Sequence, residues 1–230
     1  MCKFFCTFAL DLVQITSFMS KQSAIIVPEG CTRVLLHACC APCSSAIVEW
    51  LLAHEIRPVI YYYNPNIYPR EEYEIRKNES KRHAESLGIE WIDDDEGTKG
   101  LTDEWTKAHD EWKQAVCGLE NEPERGRRCE ACFYHRLLAT ARKAQELGIP
   151  YFATTLASSR WKNLEQINRA GLAAQEAVMG YGLQVTGNEA PLFWAQNWRK
   201  EGLQERRNEL LKAYNFYNQQ YCGCEFSVRN

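Results

Sequence analysis

Apolar positions along this chain fall into short runs, separated by longer stretches in which apolar residues recur at helical spacing. Residues 34–37 form an apolar run of strand length leading into two adjacent cysteines, with Pro42 expected to stop the strand. Ile47, Val48, Leu51 and Leu52 then keep helical spacing, with Ser44 or Ser45 placed to cap that helix. Residues 59–63, rich in β-branched and aromatic side chains, predict a second strand closed by Asn64, Pro65 and Asn66. A charged helix over about 71–87 follows, ended by Gly88, and residues 89–92 make a third strand. Leu101, Trp105, Trp112 and Val116 mark a further helix whose tryptophans are expected to be core anchors. The next helix, about 129–147, is closed by Gly148 with Pro150 just beyond; a fourth strand at 151–156 and a helix at 163–179 complete the pattern.

The order β-α-β-α-β-α-α-β-α predicts an α/β fold with a mostly parallel sheet and helices on both faces. Ligands of such sheets gather at the carboxyl ends of the strands, where Cys39, Cys40, Asn64 and Thr155 fall. There is no internal repeat, no low-complexity segment and no Gly-rich phosphate loop, so a dinucleotide fold of the G-x-G-x-x-G type is not supported.

At 230 residues, 45% hydrophobic and 25% charged, the chain suits one globular domain with a substantial core. Residues 1–30 are expected to be a disordered extension. Residues 31–230 are expected to form a single α/β catalytic domain ending in a helical and C-x-C segment. The apolar stretch at 4–13 is interrupted by Asp11, is too short to cross a bilayer and lacks a cleavage site, so no membrane partner is expected. The formal net charge of -3 removes any global electrostatic case for nucleic acid. RNA contacts would have to come from local patches: Arg125 with Arg127 and Arg128, Lys81 with Arg82, Arg199 with Lys200, Arg206 with Arg207. Each taken alone reads as a solvated face.

Eleven cysteines change the picture, because they are clustered rather than spread as staples. That distribution suits a metal or redox site in a reducing compartment, hence a cytoplasmic protein. Cys39, Cys40 and Cys43 lie between a strand end and a helix N-terminus, whose partial positive charge favours thiolate. Adjacent side chains of a strand point to opposite faces, so both leading thiols converge only where the strand gives way to a turn. Cys129 and Cys132 form a C-x-x-C at a helix start, a spacing that serves zinc, an iron-sulfur cluster or a dithiol couple. With the first group they offer enough thiolates for one shared metal site. Cys222 and Cys224 flank Gly223; a disulfide between them would close a very small, strained and easily reduced ring, and the pair serves either as a redox couple or as free thiols on a frayed tail. Cys31 and Cys117 are expected to be small buried hydrophobes, and His37 a hydrogen-bonded core histidine.

Four motifs then occur in order: Leu35-Leu36-His37-Ala38-Cys39-Cys40-Ala41-Pro42-Cys43; Glu122-Pro123-Glu124 leading to Arg128-Cys129-Glu130-Ala131-Cys132-Phe133; Thr154-Thr155-Leu156; and Tyr221-Cys222-Gly223-Cys224 with Phe226-Ser227. Together they resemble the QueH family of epoxyqueuosine reductases. The resemblance implies an adenine-nucleotide hydrolase-like (HUP), Rossmannoid domain and the reduction of epoxyqueuosine in tRNA, with an electron donor still to be identified. It implies a [4Fe-4S] cluster held by Cys39, Cys40, Cys129 and Cys132, and a redox-active disulfide between Cys222 and Cys224. Some members carry Asp where Cys43 stands here, and there it can help hold an additional iron. Asn197-Trp198-Arg199-Lys200 departs from the family's Asp-Phe-x-Lys, and no role is carried over to it. Two rival functions stand beside this one: a zinc-stabilised RNA-binding module, and an ATP-dependent tRNA-modifying enzyme of similar fold. The second would need a glycine or serine phosphate loop where Cys39 to Cys43 lie.

Overall fold

The computed structural model describes residues 24–93, 104–179 and 189–227. Five strands, β1 (Arg33–His37), β2 (Arg57–Tyr61), β3 (Trp91–Ile92), β4 (Tyr151–Thr154) and β5 (Leu192–Phe193), form one sheet in the order β3-β2-β1-β4-β5. Every pairing is parallel, with Leu36 opposite Ile60 on one side and Ala153 on the other. The described α-helices are α1 (Ala41–Ala53), α2 (Arg70–Ser86), α3 (Glu104–Ala115), α4 (Arg127–Glu146), α5 (Leu164–Met179) and α6 (Leu203–Ala213). The fold is thus α/β, and its sheet is parallel throughout.

Strand order runs outward from β1 in both directions. Right-handed crossovers therefore place α1 and α2 on one face and α4 and α5 on the other. Consistently, α1 packs on α2 and α6, while α4 packs along α5 and α3. The order reverses between β1 and β4, which makes the carboxyl ends of those two strands the switch point of the sheet. Val34, Leu35 and Leu36 are fully buried, as a central strand covered on both faces requires.

Several local expectations are corrected. β1 ends at His37, before the cysteines, so Pro42 stops no strand; it sits in the first turn of α1, where its missing N–H costs nothing. Cys40, extended at φ -176, is the N-cap residue. Ser44 and Ser45 lie inside α1, buried, and donate back to the carbonyls of Cys40, Ala41 and Pro42, so neither caps the helix. β4 stops at Thr154 and continues as a 3-10 turn, Thr155–Ser158, because the Thr154 hydroxyl accepts the Leu156 N–H. Gly88 and Gly148 do end their helices at positive φ.

The extension expected over 1–30 is shorter within the described region. Ile25 is buried in the core and its N–H donates to Glu201 Oε1 at 2.6 Å. Trp194 Nε1 and the Tyr151 hydroxyl reach the carbonyls of Ile26 and Glu29. Burial of the Ile25 side chain and these backbone bonds hold the segment, while Ile26 and Val27 stay exposed. Residues 1–23, with Cys2 and Cys6, lie outside the described residues, as does the 101–103 start expected for the third helix. Among the described residues no helix is long and apolar enough to cross a membrane.

Gly171 shows how closely β5 is packed. A Cβ built there would lie 2.2 Å from the Phe193 ring, which is itself buried. Alanine in a helix interior gains about 1 kcal/mol over glycine, but overpacking a buried ring costs more. Gly171→Ala is therefore expected to lower unfolding stability by a net of about 1–3 kcal/mol. Thermal or denaturant unfolding checks this, and an unchanged midpoint would show that β5 moves freely.

Candidate metal and redox site

The first thiol group forms at the switch point. After His37 the chain turns through Ala38, and the Cys39 and Cys40 sulfurs converge to 3.9 Å, as the break in strand geometry allows. The sulfurs of Cys39, Cys40 and Cys43 all lie within 4.8 Å of one another, and all three residues are buried. Thr155, at the end of β4, holds this turn from the other strand: its hydroxyl oxygen accepts the Cys39 N–H at 3.1 Å and lies 3.4 Å from the Cys39 sulfur. Asn64, at the end of β2, donates to the Ala38 carbonyl at 2.9 Å and accepts from buried Arg136.

His37 is the pin beneath these contacts. Fully buried, it sets Nδ1 2.8 Å from the Thr154 hydroxyl and Nε2 3.1 Å from the Tyr63 carbonyl. A carbonyl only accepts, so Nε2 carries the proton and Nδ1 accepts from Thr154. Burial, reinforced by nearby Arg136, pushes its pKa down to about 3, so the ring is neutral. The expectation of a hydrogen-bonded core histidine agrees with this geometry.

Within the trio the charge settles on one sulfur. Hydrogen bonds from Cys40 and then Cys43 hold the Cys39 thiol well below its ordinary range in spite of burial, with Lys162 and Thr155 adding to the effect. Donating that proton pushes Cys40 up, and pushes Cys43 up to about 11. Thiolate is the metal-binding form, and a trio poised around one thiolate beside a helix N-terminus suits a metal or cluster.

Cys129 and Cys132 are not part of that close trio. Cys129, in the first turn of α4, accepts the Arg125 N–H at 3.3 Å, and burial raises its pKa, with the charges of Cys132 and Cys222 adding to the rise. Cys132 is buried with Trp112, Val116 and Cys224, and Cys222 and Phe226 pack against them. Cys132 and the C-x-C thus form a second thiol neighbourhood, while Cys129, beside them, packs against the main core that also holds Cys39, Cys40 and Cys43. Cys222 and Cys224 are free thiols in hydrogen-bond contact. The bond from Cys224, helped by Lys162 and Ser227, lowers Cys222 to about 5, and Cys224, as the donor, is pushed up.

The C-x-C segment is tied rather than frayed. Tyr68 N–H donates to the Gly223 carbonyl at 2.8 Å. Arg76 donates to the carbonyls of Cys222 (3.3 Å) and Tyr221 (3.2 Å) while paired with Glu72 through Nε at 2.7 Å. Tyr217 donates to the other Glu72 oxygen at 2.7 Å. Gly223 is needed here: its φ is +99, and a Cβ would lie 2.8 Å from Ile67. Arg128, expected in a solvated patch, is buried and donates to the carbonyls of Glu120, Glu122 and Phe226 and to the Ser227 hydroxyl. Arg199 and Arg82 likewise donate to backbone carbonyls, and Arg206 pairs with Glu49 and Glu209.

Cys31 is a buried thiol, raised to about 11 mainly by burial, as expected of a small hydrophobe. Cys117 is exposed, contrary to expectation, because it lies in the turn just past α3. Arg76 and Lys162 were missed from sequence. The readable signal for Lys162 was a cation in the loop after β4, at the ligand end of the sheet.

Thiols that are buried and polarised against one another suit electron transfer or metal ligation rather than stapling, and they mark a metal- or redox-active protein. The family model of the epoxyqueuosine reductase QueH matches residues 34–230, and the chain belongs to that family. The Haemophilus influenzae epoxyqueuosine reductase QueH is 41% identical over 204 residues, covering 89% of this chain and 75% of its own length. That of Acinetobacter baylyi is 41% identical over 213 residues, covering 92% and 88%. Among solved structures, the U34-tRNA thiolase NcsA from Methanococcus maripaludis, with its [4Fe-4S] cluster, aligns over 97% of this chain and 70% of its own at a TM-score of 0.43 and 13% identity.

With Cys222 lowered to about 5 and Cys224 raised, thiolate is present at Cys222 above that pH and lost below it. In metal-free protein, alkylation of Cys222 is expected to reach its plateau by about pH 6–7, where an ordinary thiol is still climbing toward its pKa of roughly 8.5. Mass spectrometry of the modified peptide checks the order; Cys224 reacting first would reverse the assignment.

Proposed function

We propose that this chain reduces epoxyqueuosine to queuosine in tRNA, the final step of queuosine biosynthesis, in the cytoplasm. The observation that carries the reading is the buried trio of Cys39, Cys40 and Cys43 at the switch point, in a chain whose relatives are named for this reaction. Two sulfurs of the trio, Cys39 and Cys40, suit a [4Fe-4S] cluster, being closely spaced and shielded from water, with one of them already poised as thiolate. By motif the ligands are Cys39, Cys40, Cys129 and Cys132. Cys43 is the residue left to hold an additional iron. A cluster bound there supplies electrons one at a time.

The rest of the chemistry belongs to the chain's own residues. Removing the epoxide oxygen as water, with an alkene left behind, consumes two electrons and two protons. Oxidation of the pair to a disulfide, with Cys222 as thiolate and Cys224 as thiol, releases two electrons and one proton; solvent supplies the second proton, and an external reductant then restores the pair. Cys222, whose carbonyl accepts from Arg76 and whose sulfur is bonded by Ser227, is the more acidic sulfur, and Cys224 keeps its proton. The loop after β1, filled by cysteines, leaves no glycine or serine cradle for a nucleotide triphosphate.

Anaerobically purified protein is expected to be brown, with iron and sulfide in near-equal amounts; a colourless, zinc-loaded protein would overturn the cluster reading. Alanine at Cys39, Cys40, Cys129 or Cys132 should strip most of the iron and abolish turnover, while Cys117→Ala keeps both. Because Cys43 lies with Cys39 and Cys40 and the C-x-x-C does not, iron content separates the assignments: loss in Cys43→Ala with retention in Cys129→Ala would make Cys43 the ligand instead.

Serine at Cys222 or Cys224 should leave the iron in place and slow multiple turnover with a physiological reductant. A strong chemical reductant should restore much of the rate. Turnover unchanged with every donor would make the pair a bystander.

A further inference from the structure

The loop between β4 and α5, residues 159–163, brings Lys162 to the thiols and carries an indole that takes no part in that chemistry. Its Trp161 is 77% exposed, the most exposed large apolar side chain among the described residues. A single exposed hydrophobe needs no explanation. A rigidly presented one beside a reactive site does.

The loop is clamped from below. Arg125 donates from Nε to the Trp161 carbonyl at 2.8 Å and from its terminal nitrogen to the Arg160 carbonyl at 3.2 Å. Arg199 donates to the Lys162 carbonyl at 2.9 Å, and the Trp161 N–H is bound to the Ser159 hydroxyl at 3.3 Å. Gln166 in turn donates to the Arg125 carbonyl at 2.8 Å. Two guanidinium groups are thus committed to the backbone of this loop, while the indole itself is left in water.

The same clamp fixes where the indole stands. The Arg125 backbone N–H donates to the Cys129 sulfur at 3.3 Å, so one residue bridges the C-x-x-C and the Trp161 backbone. Cations flank the indole on both sides in sequence, Arg160 exposed and Lys162 partly so. The acidic side chains nearby in sequence are Glu124, before the clamp, and Glu165, in the first turn of α5. An exposed aromatic face beside an exposed cation, at the rim of a buried site, suits an unpaired base and its phosphate: bases stack on such faces without regard to sequence, and the cation meets the backbone.

We propose that Trp161 is a stacking platform for an unpaired base of the RNA loop that delivers its neighbouring nucleotide to the thiol site, with Arg160 meeting the adjacent phosphate. This rests on the reading of tRNA as substrate. A protein partner would also cover an indole, but it would show no preference for unpaired RNA.

The test uses the full chain, purified with its iron, and two RNA probes of equal length and charge: a stem-loop with an unpaired loop, and a blunt duplex. Binding is read by fluorescence anisotropy for wild type, Trp161→Phe and Trp161→Ala, with iron content and visible absorbance measured on each. The stem-loop should bind wild type more tightly than the duplex does. Trp161→Ala should weaken stem-loop binding by about tenfold or more, Trp161→Phe should keep most of the affinity, and iron should be equal in all three. Equal stem-loop affinity of wild type and the alanine variant would overturn the proposal, as would an equal loss on both probes. So would a wild type that binds neither RNA. Turnover of epoxyqueuosine-containing tRNA by wild type is measured in parallel: if it is absent while the stem-loop still depends on Trp161, the functional reading falls and the stacking surface stands.

Discussion

The hydrogen bond between His37 and Thr154 closes the sheet where its strand order reverses, and the site depends on it. The β1–β4 ladder runs out at the His37 and Thr154 pair, and a side-chain link reinforces it there. A neutral imidazole supplies it, accepting from Thr154 and donating to Tyr63 from the end of β2. One buried ring thereby ties three strand ends, and its lowered pKa keeps the tie intact over the physiological range. The turn carrying Cys39 and Cys40 begins on the next residue. Thr155 and Asn64, one from each neighbouring strand end, then fix its backbone.

The second thiol neighbourhood is built on different principles. Its Cys132 rides on the first turns of α4, while its C-x-C belongs to a tail with little regular structure of its own. What holds the tail is cation-to-carbonyl bonding, from Arg76 on α2 and Arg128 on α4. A buried guanidinium satisfies several carbonyls in one plane, which suits an irregular segment whose backbone groups find no ladder. The Glu72 carboxylate, hydrogen-bonded by Tyr217, compensates the Arg76 charge locally, so the strap does not rest on solvent. Gly223 then lets the chain pass closely over Ile67.

Charge links the two neighbourhoods. Lys162 draws down the thiols of both Cys39 and Cys222, and it arrives on the loop that Arg125 and Arg199 clamp. Buried thiolates need such a cation, since an uncompensated anion away from water would simply take up a proton. Of the arginines that looked like surface charge in sequence, Arg128 is buried and Arg199 half-buried, while Arg82, Arg125 and Arg206 stay exposed even as they donate to backbone carbonyls or carboxylates.

The sequence by itself determined the alternation of strands and helices, the glycines that end α2 and α4, the two cysteine groups at helix starts and the place of His37 inside an apolar strand. Each of these is local: a period, a breaker or a residue type acts over a few positions, and neighbours in sequence decide it. Only the tertiary structure decided that Cys132 meets Cys224, that Arg128 is buried under the tail, and that Cys117 is exposed. The two-residue β5 and the burial of Ile25 belong to the same class. Those outcomes join residues up to 176 positions apart, and they follow from which strand lies beside which. A hydrophobic pattern records which face of a segment is buried, but not which distant carbonyl or sulfur it meets there.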